Sequence, residues 1–160
     1  MPTMGRMSTK PIPDGYHAVT PYLTVKDGAA ALDFYVRALG AEVFMRMPGP
    51  GGKLGHAEFR IGGSPVMMSD EFPEMGVLSP QTLGGVTSSL MIYTPDADAL
   101  FAQAVAAGCT VLKPLQNQFY GDRSGTVQDP FGQRWTIATH IEDVSPEEMQ
   151  RRIAGMKGTC

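Results

Sequence analysis

Apolar and polar residues alternate in short runs along most of this chain, and three stretches follow a helical period instead. In 17–25, Val19, Leu23 and Val25 share one face with Pro21, and Thr20, Tyr22 and Thr24 share the other. That is a strand, and Pro21 places part of it at an edge or seam. Over 27–40 the period changes. Ala31, Leu32, Tyr35 and Leu39 repeat at helical spacing, Asp27 is a natural cap and Gly40 a natural stop. Three strands follow over 41–48, 53–62 and 64–71, separated by glycine-rich turns. On the middle one Ala57, Phe59 and Ile61 oppose His56, Glu58 and Arg60.

Residues 71–85 hold two prolines and three glycines with no period, which predicts a linker or mobile flap. The second half restarts the pattern. A strand over 87–94 puts Leu90 and Ile92 on one face and Ser89, Met91 and Tyr93 on the other. Pro95 suits the first turn of a helix, Asp96 and Asp98 its positive end, and Leu100, Ala104 and Ala107 its apolar stripe before Gly108. Strands over 110–120, 122–129 and 133–140 complete the half. The last follows the turn Asp129-Pro130-Phe131-Gly132. It predicts Trp135 and Ile137 buried under the helices, with Arg134, Thr136, Ala138 and His140 opposite. Ser145 and Pro146 open a final helix to about Ala154.

The order β-α-β-β-β is thus written twice. Gly40 and Gly108, like Leu32 and Leu100, stand 68 positions apart, and Gly63 and Gly132 stand 69 apart. The expected fold class is α+β: two tandem β-α-β-β-β modules forming a curved mixed sheet with an open trough, helices outside. The expected divisions are a flexible tail (1–15), a first module (16–70), a linker (71–86), a second module (87–140) and a C-terminal helix and tail (141–160). A single module leaves sheet edges and a face uncovered, and two modules pairing side by side would curl into the trough.

Composition narrows the partners. The net charge is −3 without a basic run, so a nucleic-acid surface has no electrostatic support. No apolar run approaches the roughly 20 residues of a membrane span, and the N-terminus lacks a signal core. Cys109 and Cys160 are isolated, which fits a cytoplasmic protein with free thiols.

Several segments in order, LDFYVRALGAEV, HAEFRIG, VMMSDE and YGDRSGTVQDPFGQRW, resemble the vicinal oxygen chelate superfamily of glyoxalase I, bleomycin-resistance proteins and extradiol dioxygenases. They are most similar to its PhnB-like group. The resemblance covers about Tyr16 to His140, and because related proteins cover their open sheet edges and helix sides by dimer pairing, it implies a homodimer. It implies four metal ligands, one on the first and one on the last strand of each half, at Thr20, Met67, Ser89 and Thr136 in this chain. None is a good ligand for a divalent ion, which wants imidazole, carboxylate or thiolate. The expectation is therefore no metal and no cofactor, with the four positions converging on one point in the trough.

Two functions remain open. One is a metal-independent small-molecule-binding protein of the glyoxalase/bleomycin-resistance type. Its trough would hold ligand with Thr20, Tyr22, His56, Glu58, Met67, Ser69, Ser89, Met91, Tyr93, Arg123 and Thr136. Methionine, aromatic and a few polar side chains suit such a pocket; the same polarity also suits a sheet face simply wetted by water. Arg123, with Asp122 and Tyr120 of the same YGDRSG stretch, could clamp an anion, or the Asp122–Arg123 pair could hold its own strand in place. The other function is a lyase, isomerase or dioxygenase-like enzyme, with a relocated metal or with Glu58 and His56 as acid and base.

Overall fold

A computed structural model describes residues 8–156. The expected tail therefore falls partly outside the described residues, as do the last four positions with Cys160. The elements are β1 (Tyr22–Val25), α1 (Gly28–Leu39), β2 (Glu42–Pro48), β3 (Leu54–Ile61), β4 (Ser64–Asp70), a short α2 (Pro80–Leu83), β5 (Leu90–Tyr93), α3 (Ala97–Ala107), β6 (Thr110–Asn117), β7 (Asp122–Gln128), β8 (Arg134–His140) and α4 (Pro146–Met156). The class is α+β with the tandem repeat as read. The strands form two four-stranded mixed sheets, β1-β4-β3-β2 and β5-β8-β7-β6, rather than one continuous sheet.

Each module closes the same way. The first strand pairs in parallel with the last, β1 with β4 and β5 with β8, and the other contacts are antiparallel. A parallel pair needs a crossover, and the helix supplies it. Asp27 accepts from the Ala30 amide at 3.1 Å to start α1. Gly40 ends it at φ 69°, where a side chain would be strained. In the second module the cap is Asp96, so Pro95 lies ahead of the helix and not in its first turn. The carboxylate of Asp70 fastens β4 to the start of α1 and to β3, accepting from the amides of Gly28 and Leu54, each at 2.6 Å.

The back faces of both sheets share one core. Tyr35 of α1 stacks on Phe59 of the first sheet at 5.5 Å and meets Trp135 of the second edge-on at 5.4 Å. Val25, Leu32, Met68, Val127 and Ile137 fill the space around them. Trp135 is 1% exposed and lies with Ile137, as their strand phase predicted. α1 and α3 pack side by side within this core.

The stretch 71–86 is not featureless. Phe72 bridges to Val77. The Glu71 carboxylate accepts from the hydroxyls of Ser79 and Thr82, and Ser79 caps α2. These hydrogen bonds hold the Glu71 carboxyl below its usual pKa range, those from Thr82 contributing most. Val19, expected in the first strand, is exposed and precedes β1, which begins only at Tyr22.

Candidate functional site

Because both sheets turn their back faces to the common core, each turns its front face outward. The front of the first sheet carries Tyr22, His56, Glu58, Met67 and Ser69. β2 adds Met47 and Met45, opposite His56 and Glu58 in the register. Glu58 is only 5% exposed, and Tyr22 is 50% exposed. A chain of polar contacts joins them. The Tyr16 hydroxyl donates to Glu58 Oε1. Glu58 Oε2 lies 3.9 Å from His56 Nε2. His56 Nδ1 lies 2.9 Å from the Tyr22 hydroxyl, with the two rings 5.5 Å apart. Ser69 is buried and its hydroxyl donates to the Asp70 carbonyl at 2.9 Å.

The front of the second sheet repeats the theme with other residues. Asp122 is 4% exposed and Tyr93 61% exposed. Asp122 accepts from the Tyr93 hydroxyl at 2.8 Å on one oxygen and contacts His140 Nδ1 at 2.8 Å with the other. His140 Nε2 reaches Asp143 at 2.7 Å. The hydrogen bond to Asp143, then that to Asp122, raises the His140 pKa from its ordinary value. The hydrogen bond to Asp122 is likewise the main cause that raises the Tyr93 pKa. Thr136 and Thr126 share a hydrogen bond of 2.9 Å.

The pairing register decides which residues face each other across the parallel strands. Met67 stands opposite Tyr22, not Thr20, and Thr136 stands opposite Met91, not Ser89. Thr20 and Ser89 each lie two residues earlier, ahead of their strands. The parallel register sets this offset, and a shift of two keeps the same face. Met67 and Thr136 belong to separate sheets, and Ser89 and Thr136 line a common hollow. Arg123 lies on the back of β7, alternating with Asp122. It forks onto Asp98 of α3 at 2.8 and 2.9 Å and reaches Asn117 at 3.1 Å. Its guanidinium thus closes a structural bridge beside α3 rather than facing the front of the sheet.

The donor chemistry of the matched positions does not suit a divalent ion, in either count. Tyr22, Met67, Met91 and Thr136 offer a phenol, two thioethers and a hydroxyl. Among the described residues no group of three or more His, Cys, Asp or Glu is placed to hold a metal.

A cavity of about 510 Å³ opens at the seam of the modules, between Pro21, Ile61 and Pro65 on one wall and Leu90, Met91 and Tyr93 on the other. Ser89 lines it and also a smaller hollow with Thr126 and Thr136.

Sequence reading missed Tyr16, Met45 and Met47 as front-face residues, and named Asp122 only as a partner of Arg123 in their turn. The period of two on β2 and β7 carried the signal for Met45, Met47 and Asp122. Nothing local marks Tyr16, whose partner lies 42 positions away.

The sequence profile of the Glyoxalase/Bleomycin resistance protein/Dioxygenase superfamily matches residues 16–137. Protein Rv0887c of Mycobacterium tuberculosis is 43% identical over 140 residues, covering 86% of this chain and 82% of its own. The crystal structure of TioX from a Micromonospora species superposes with a TM-score of 0.62 at 25% identity, over 81% of this chain and all of that one. A PhnB protein from Bacillus cereus shares the fold, with a TM-score of 0.57 at 18% identity over 77% of this chain and 99% of its own.

Proposed function

From the premise that the chain belongs to the Glyoxalase/Bleomycin resistance protein/Dioxygenase superfamily, we propose that it is a metal-independent small-molecule-binding protein whose front sheet faces grip the ligand. One observation carries the reading. Each front face sets an exposed tyrosine and at least one methionine over a buried, hydrogen-bonded carboxylate: Tyr22, Met47 and Met67 over Glu58, and Tyr93 and Met91 over Asp122. Such large apolar side chains gain from covering, and the carboxylates match a basic group on whatever covers them.

A second copy of the chain would complete the site. Within one chain the two faces point away from a common core, so a closed trough needs the first sheet of one copy against the second sheet of another. That is the form in which the expected homodimer enters this reading. The matched positions supply no charged ligand for an ion, which supports binding without a metal.

Bleomycin, a basic glycopeptide with a flat aromatic tail, is the probe. Isothermal titration of the full-length chain should show binding that Tyr22→Ala and Tyr93→Ala each weaken about 10-fold or more. Chelator treatment should leave it unchanged. Stoichiometric metal in the purified protein, or affinity untouched by both substitutions, would overturn the reading. Sedimentation at micromolar concentration should give a dimer.

A further inference from the structure

The front of the first sheet holds the residue types and the order of contacts of an activated hydroxyl. We propose that Glu58, His56 and Tyr22 form a metal-free carboxylate–imidazole–phenol triad that makes Tyr22 a nucleophile toward acyl groups, giving this face an esterase-like activity. This rests on the reading that the face holds a small molecule, and goes beyond it by assigning chemistry.

The geometry supplies each role. A hydroxyl is activated when a base lies within hydrogen-bond reach and a third group orients that base. His56 Nδ1 is 2.9 Å from the Tyr22 oxygen. The Glu58 carboxylate stands 3.9 Å from His56 Nε2, on the other side of the ring. A carboxylate there favours the tautomer with its proton on Nε2 and leaves the Nδ1 lone pair to accept from Tyr22. Contacts of this kind are often long before substrate binds. Glu58 is itself fixed, buried and held on its other oxygen by Tyr16. Tyr22, at the outer end, is half exposed and reachable. Met67 opposite Tyr22 and Met47 opposite His56 give the place an apolar lining suited to an aromatic or alkyl ester.

The step balances without a co-reactant beyond water. The Tyr22 oxygen bonds to the acyl carbon as its proton passes to His56 Nδ1. The carbon–oxygen bond to the leaving alcohol or phenol breaks, that oxygen keeps the electron pair, and His56 gives it the proton, so the group departs neutral and His56 is a base again. Water then attacks the acyl-tyrosine, giving one proton to His56, which returns a proton to the Tyr22 oxygen as the carboxylic acid leaves. Glu58 and His56 touch no part of the acyl carbon by themselves; Glu58 is a positioning residue and His56 the base.

The test uses 4-nitrophenyl acetate with the full-length protein, following nitrophenolate release and mapping acetyl groups by peptide mass spectrometry. Tyr22 should be acetylated about 100-fold faster than exposed Tyr120. Tyr22→Phe should abolish the release that exceeds background. His56→Ala should slow it about 100-fold, and added imidazole should restore it, which a structural role would not allow. Glu58→Gln should slow it with the fold intact by circular dichroism, and Glu58→Asp should recover part of the rate. Acetylation of Tyr22 no faster than of Tyr120, or a His56→Ala protein as reactive as wild type, would overturn the proposal. Wild-type protein that binds bleomycin without acylation sinks this inference alone; acylation without bleomycin binding sinks the binding reading alone.

Discussion

Tyr35 and Asp129, 94 positions apart in the chain, are joined by a 2.7 Å hydrogen bond that ties the first helix to the turn before the last strand. The same Asp129 oxygen accepts from the Trp135 indole at 2.9 Å, and its other oxygen takes the amides of Phe131 and Gln133. One buried carboxylate thus holds a turn, a core indole and the opposite module. Tyr35→Phe should cost about 1.5–3 kcal/mol, the range for a hydrogen bond to a charged group. A double-mutant cycle with Asp129→Asn in urea should show the two effects to be coupled.

Burial raises the Asp129 pKa from its ordinary 3.8, although hydrogen bonds from Trp135 and Tyr35 pull the other way. The folded state therefore holds this proton more tightly than the unfolded chain. Its contribution to stability is fully present below 3.8 and is lost as pH rises through the folded value. Unfolding free energies of wild type and Asp129→Asn, compared across that range, should show the wild type's relative advantage shrinking as pH rises. An advantage that grows instead would contradict the assignment.

His140 should titrate above its ordinary 6.5, since Asp143 and Asp122 both favour the imidazolium. Its stabilising effect is complete below 6.5 and fades as pH rises through the folded value. Histidine proton NMR should place its midpoint above 6.5, and His140→Gln should flatten the melting temperature over that window. A midpoint at or below 6.5 would contradict the bridge.

Trp135→Ala should cost roughly 3–5 kcal/mol, because it empties the junction between the two sheets. Native Trp emission should be blue-shifted, as the sole indole in the chain is buried. Red-shifted emission would place it elsewhere.

Cys109 is buried, and burial, with Asp129 nearby, pushes its thiol up to about 12. The thiolate is the reactive form. In a Cys160→Ser background, a thiol reagent at pH 8 should label the native protein far more slowly than the urea-unfolded one. Equal rates would mean that the thiol is open to solvent.

The order of the main elements, the doubled module and the phase of most strands were legible in the sequence because they rest on local rules, whereas α2 and the start of β1 were not. Alternation put Trp135 and Ile137 inside and Thr136 outside, and Asp27 and Gly40 marked the ends of a helix, each through contacts within a few residues. The segments shared with a known superfamily carried the same fold. Tertiary structure decided what depends on partners far along the chain. The register of β1 against β4 set Tyr22, not Thr20, opposite Met67. Arg123 found Asp98, 25 positions away. Tyr16 found Glu58 from a segment without a period. Tyr35 bonded both modules to one core and so turned their front faces outward. Alternation names the face of a strand, but which side chains meet across strands follows from the pairing register and the packing of the modules, and those energies are summed only in the folded chain.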